Sequence, residues 1–170
     1  MAKFKYTSKC AHPKKVRKIM EDFCNDASTI SYKGNKIPIL LEKGDEFATN
    51  GFRKPDQLII IWYNFKEAHH KEFNANFRTA EAAKGFADIT ISLLHEIGHH
   101  ETLHKVPKRY NRQKAMAKIE KAMPIVQNEL YFNLPDEKLA TEWAQAWLEV
   151  EENRKLAKKF EKKFFKAWEK

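Results

Sequence analysis

Phe86, Ile89, Leu93 and Ile97 recur at three- and four-residue spacing, which predicts a helix with one face in a core. Asp88, Thr90 and Ser92 interleave on its other faces, and Lys105-Val106-Pro107 supplies a stop. Nearer the start, Val16, Ile19, Met20 and Phe23 form one stripe of a basic amphipathic helix beginning near Pro13, whose wet face carries Lys14, Lys15, Arg17 and Lys18. Between these helices the pattern changes. Ser31-Tyr32-Lys33 and Lys36-Ile37-Pro38-Ile39-Leu40-Leu41 flank Gly34-Asn35, a pair suited to a tight turn, so a hairpin is expected, with Pro38 arguing for an edge position. Leu58-Ile59-Ile60-Ile61-Trp62-Tyr63 is the clearest strand, continuous and β-branched. The stretch from Phe65 to Phe77 reads as a loop or short helix whose His69 and His70 are solvated. Beyond Pro107 the chain turns helical, in segments from Asn111 to Met123, Pro124 to Tyr131, Pro135 to about Glu151 and Asn153 to the end. The class predicted is α+β, with a short mixed or antiparallel sheet, a buried helix near the middle and a helical C-terminal half.

Length and composition agree with one core. The chain has 170 residues, 42% hydrophobic and 12% aromatic, enough for a single domain over 1–170. Within it, 1–78 holds the first helix and the sheet, 79–105 the central helix, and 106–170 the helical remainder. No long apolar stretch suggests a membrane span. The start, Met1-Ala2-Lys3-Phe4-Lys5, is positive but lacks a following apolar region, so a cytoplasmic location is expected. In that setting Cys10 and Cys24 are expected as reduced thiols, and Cys10 with His12 is too sparse for a metal site.

The central helix carries the chemistry. His95-Glu96-Ile97-Gly98-His99 is an H-E-x-x-H sequence, and residues four apart on a helix can present two imidazoles to one ion. Glu96 beside that pair is placed to take a proton from a metal-bound water, as the general base of a zinc peptidase does. A catalytic zinc needs a third protein ligand and an open position. The metzincin pattern is not met: Thr102 stands at its glycine position, Lys105 at its third histidine, and His104 falls one place early. His100 and Glu101 adjoin His99 as flanking polar residues.

A better candidate follows Pro135, where proline and two acids mark a helix start. Glu137 shares a face with Ala140, Thr141, Ala144 and Leu148, a small and apolar line that packs inward. Glu142 shares its face with Gln145 and Glu149. Glu137 is therefore the expected third ligand, with Glu142 as the alternative.

At these two segments the chain resembles the ImmA/IrrE-type metallopeptidases of bacteria and phages, small gluzincins whose second motif reads roughly E-x-x-A-N-x-F-A. The matching residues are His95-Glu96-Ile97-Gly98-His99 and Glu137-x-x-Ala140-x-x-Trp143-Ala144. The resemblance implies a small zincin-like domain with one zinc on His95, His99 and Glu137, and Glu96 as base. Thr141 stands where the family usually has Asn, a residue that supports a zinc-bound histidine, and Trp143 replaces Phe as a packing residue.

The activity so implied is hydrolysis of a peptide or protein substrate, held as an added β-strand. Tyr110, Tyr131 and Arg109 are all candidates to stabilise the oxyanion, and spacing does not choose among them. The net charge of +9 opens a second class, a basic module binding nucleic acid or an acidic protein with a structural or inactive metal site. Lys158, Lys159, Lys162, Lys163 and Lys166 crowd the last helix, whose other side carries Leu156, Phe160, Phe164, Phe165 and Trp168. Docking of that helix by its aromatic face, lysines in water, is the simpler expectation.

Overall fold

A computed structural model describes residues 4–6, 14–28, 37–43, 58–62 and 81–168, the strands and Asp88 by backbone alone. Along the chain these give β1 (Phe4–Tyr6), α1 (Lys14–Ala27), β2 (Ile37–Lys43), β3 (Leu58–Trp62), α2 (Asp88–Thr102), α3 (Arg112–Ile119), α4 (Pro124–Phe132), α5 (Pro135–Glu149) and α6 (Glu151–Trp168). Single 3-10 turns lie at Glu81–Ala83 and Leu103–Lys105.

The expected α+β class with a mixed or antiparallel sheet is overturned. Of the residues whose side chains are described, 82% are helical and none lies in a strand, so the packed body is all-α. The short strands that are described pair only in parallel, in the order β1-β2-β3. Parallel neighbours need a long crossover where a hairpin needs only a turn, and α1 lies in the crossover between β1 and β2. The first arm of the expected hairpin, Ser31–Lys33, lies outside the described residues, as do His69, His70 and Cys10. Nor is β2 an edge strand. Pro38 is nevertheless tolerated, because it pairs with Lys5 of β1 while the register with β3 begins only at Ile39.

Helix α2 runs through the centre. It packs chiefly on α5 and also meets α1, α6 and β3. Enclosure on all sides carries the burial beyond its apolar stripe: Thr90 and Ser92 are buried along with Ile89, Ile91, Leu93, Leu94 and Ile97. Buried polar groups need partners, and the start of α2 finds its partner on another helix. Glu161 of α6 accepts hydrogen bonds from the Ala87 backbone N–H at 2.5 Å and from Thr90 Oγ1 at 2.9 Å. A carboxylate thus serves the positive N-terminal end of α2 from a neighbouring helix. At the other end Ser28 Oγ donates to Glu101 at 2.7 Å, joining the end of α1 to α2.

The first and last helices close the core through aromatic rings. The stripe expected on α1 is buried at Val16, Met20 and Phe23. Phe23 stacks on Phe160 with centroids 4.2 Å apart and meets Trp147 edge-on at 6.1 Å. Phe164 continues the layer onto Trp168 at 5.6 Å. The last helix therefore docks by its aromatic side, as the simpler expectation held, with Lys159, Lys162, Lys163 and Lys166 exposed. Cys24 is buried and free in the same core, where burial pushes its thiol well above the ordinary range.

Helices α2 and α5 approach closely enough for their backbones to touch. A Cβ on Gly98 would lie 2.5 Å from the Ala140 carbonyl oxygen and 3.0 Å from its Cα, backbone atoms that cannot rotate aside. Glycine inside a helix normally costs about 0.5–1 kcal/mol relative to alanine. Here the clash reverses that sign. Gly98→Ala is expected to destabilise the fold by about 1–3 kcal/mol, as overpacking does, read as a lower urea midpoint at unchanged m-value; a raised midpoint would show that the helices are not this close.

Candidate metal centre

The α2–α5 contact sets the site. His95 and His99 lie one turn apart on α2, and Glu137 lies in the first turn of α5, started by Pro135 at its first position. The face predicted for α5 is the buried one: Glu137, Ala140, Ala144 and Leu148 all point inward. Glu137 is 2% exposed, whereas the Glu142 side chain is 56% exposed and 3.9 Å from Lys138. The alternative third ligand therefore lies on the solvent side of its helix.

One carboxylate oxygen faces both rings. Glu137 Oε2 is 3.0 Å from His95 Nε2 and 3.6 Å from His99 Nε2. Together His95, His99 and Glu137 form a group that can hold a metal ion. The donor set fits zinc: with bonds of about 2.0–2.1 Å in a tetrahedron, ligand atoms lie roughly 3.3 Å apart, between the two separations observed. Behind His95, Thr141 Oγ1 stands 3.3 Å from Nδ1, the position from which a hydroxyl can fix the ring and leave Nε2 for a metal.

Glu96 differs sharply from Glu137. It is 3% exposed, and its Oε2 is buried with no hydrogen-bond partner among the described residues. Burial pushes its carboxyl above the ordinary value, against the pull of His95 and His99. Glu137 suffers the same burial, yet the His95 and His99 rings hold it well below the usual carboxylate range. Burial opposes a charge on His99, but the contact with Glu137 and the charges of Glu96 and Asp136 together outweigh it and raise the ring's pKa.

The second oxygen of Glu137 is held by residues whose part was not foreseen. Arg112 Nη2 and the Tyr131 hydroxyl each donate to Oε1 at 2.7 Å. The other arm of Arg112 pairs with Asp136, whose second oxygen accepts from the Tyr110 hydroxyl at 2.8 Å. Tyr110 and Tyr131, two of the candidates for the oxyanion, are thus engaged with carboxylates, and the third, Arg109, is exposed. Burial and Glu137 together push the Tyr131 hydroxyl above its ordinary pKa, so it remains a donor. Arg112 was missed because it is distant in sequence from both motifs. The available signal was indirect, since a buried carboxylate that stays charged needs compensating partners somewhere in the fold.

A cavity of about 270 Å³ lies between α4 and α5, lined by Phe132, Lys138, Thr141, Glu142 and Gln145 among others; His95, His99, Glu96 and Glu137 do not line it. Comparison of the chain with protein-family models, curated proteins and solved structures returns no match.

The arrangement predicts one divalent ion per chain. His95→Ala, His99→Ala or Glu137→Ala is expected to abolish stoichiometric zinc uptake measured by elemental analysis, while Glu142→Ala retains it. Metal loss with Glu142→Ala and retention with Glu137→Ala would reverse the ligand assignment.

Proposed function

We propose that this protein is a zinc-dependent metallopeptidase in which Glu96 is the catalytic base. The observation that carries the reading is the buried, unpartnered Glu96 oxygen beside the His95, His99 and Glu137 group. A purely structural metal site has no need of such a carboxylate, and an orphaned buried oxygen costs stability, a cost that a catalytic role accounts for. The likeness of both motifs to ImmA/IrrE-type peptidases supports the same reading.

Zinc, when bound by His95, His99 and Glu137, supplies Lewis acidity that lowers the pKa of water from 15.7 toward about 7 and polarises a carbonyl. Glu96 takes a proton from the attacking water on its free oxygen. The water oxygen bonds to the amide carbon, the C–N bond breaks, and Glu96 delivers its proton to the departing nitrogen. A carboxyl kept above its ordinary pKa by burial suits both halves of this exchange, because a base holds and releases a proton best when its pKa approaches the working pH. Thr141 and Glu137 hold the His95 ring on either side, so its orientation is set before substrate arrives.

Glu96→Gln keeps the shape and removes the base. The variant is expected to retain fold and zinc while losing peptide hydrolysis by at least about 100-fold, the lower range for general-base catalysis. Turnover equal to the parent's on the same peptide would end the mechanism.

A second reading is a polyanion-binding surface, favoured by the packing of α1 against α6. The two basic helices are joined through Phe23 and Phe160, and Lys14, Lys15, Lys159, Lys162, Lys163 and Lys166 are exposed on them. Lys158 is instead occupied with Gly85 and Glu161. Changing Lys159, Lys162, Lys163 and Lys166 to Gln is expected to weaken duplex-DNA binding and flatten its salt dependence, with zinc content unchanged. A parent without affinity for DNA at low salt would remove this reading.

A further inference from the structure

The proposed metal centre leaves unexplained why so many groups converge on the far side of Glu137. A carboxylate oxygen has two lone-pair directions, and those of Oε1 are met by the Arg112 guanidinium and the Tyr131 hydroxyl, both at 2.7 Å. Arg112 also donates to the Tyr131 oxygen at 3.2 Å, which leaves the hydroxyl proton for Glu137. The cluster is itself braced. Asp136 takes the other arm of Arg112, Tyr110 holds Asp136, and Asn111 caps α3 so that Arg112 leaves the helix at its first residue. Charges nearly cancel within it, since one arginine faces two carboxylates, and the local balance of −1 still favours a cation between the rings.

Resting on the metallopeptidase reading above, we propose that Arg112 and Tyr131 are positioning residues that keep Glu137 a one-oxygen metal ligand. A free carboxylate can approach a cation with either or both oxygens. With Oε1 tied down on the α3–α4 side, only Oε2 faces His95 and His99. The protein then contributes three donor atoms and keeps a position for water. Release of Oε1 lets the carboxylate chelate, which adds a donor atom beside the water and raises the coordination number. Lysine at 112 would keep the charge but lose the planar fork that spans Asp136 and Glu137, so geometry and charge can be separated.

Cobalt(II) titrated into the metal-free 170-residue chain provides the test, because its visible bands are intense when four-coordinate and weak at higher coordination. The parent is expected to take up one equivalent with intense bands. Tyr131→Phe, Arg112→Met and Arg112→Lys are expected to bind cobalt about 10- to 100-fold more weakly, the usual effect of removing a group that orients a ligand. Their bands should be weaker, with Arg112→Lys resembling Arg112→Met. Circular dichroism and thermal midpoint show which variants are folded. Tyr131→Phe, which removes one hydroxyl and no charge, decides the matter should either Arg112 variant unfold. Parental bands and affinity within twofold in folded Tyr131→Phe would overturn the clamp and leave the metal site standing. A parent that takes up no cobalt or zinc would overturn the metal site itself and the clamp with it.

Discussion

The site exists because two helices touch backbone to backbone. Gly98 on α2 meets the backbone of Ala140 on α5 at a separation that leaves no room for a Cβ on the glycine. That contact fixes His95 and His99, one turn apart on α2, opposite Glu137, three residues before Ala140. A wider spacing would carry the carboxylate away from the rings, since helix axes packed on larger side chains stand further apart. Gly98, the position of the H-E-x-x-H sequence just before the second histidine, therefore has a packing role as definite as the chemistry of its neighbours. Burial of α2 on all sides follows from the same placement, and so does the need for Glu161 to serve its N-terminal end.

Polar groups buried this deeply must be balanced, and the balance reaches across the helical body in two separate sets. At the start of α2, Glu161 is engaged with Ala87, Thr90 and Lys158. Near its C-terminal half, Glu137 is engaged with His95, Arg112 and Tyr131. Each set ties α2 to a helix remote from it in sequence, so the apolar core and the charged clusters specify the same arrangement. Hydrogen bonds to charged groups contribute about 1.5–3 kcal/mol each where well formed. Breaking one side of such a cluster costs more than its formation gains, because the surviving charge stays buried.

The helical half of the molecule was legible residue by residue, because its periodicity and its punctuation agree. Pro124 and Pro135 begin helices as expected, and the inward line Glu137, Ala140, Ala144 and Leu148 is the observed one. Glu137 could be separated from Glu142 for the same reason, a geometric one that requires no knowledge of the partner helix. Sheet topology was not legible. Ile37 to Leu41 and Leu58 to Trp62 are strands, but a strand's own residues do not state its neighbours, and Gly34-Asn35 suggested a local partner where the pairing is with distant chain. The burial expected of α2 extends further than its apolar stripe: Thr90 and Ser92, on its other faces, are buried too, which Glu161 and the surrounding helices account for. Arg112 was invisible because ion pairs formed by tertiary folding leave no spacing rule.

Two carboxylates, Glu96 and Glu137, stand at the same centre with nearly equal burial, and what separates them is the company of their oxygens. Both oxygens of Glu137 have partners, and the charge is stabilised against desolvation. Glu96 has a buried oxygen with none, and desolvation prevails. Environments that drive two acids apart in this way assign them different work, one to remain anionic and one to exchange protons. A metal ligand must be the first kind, since it has to remain charged across the working pH range. A general base must be nearer the second. The division of labour proposed for Glu137 and Glu96 thus follows from hydrogen-bond placement in the folded chain, and the H-E-x-x-H spacing contributes the histidines that make the contrast useful.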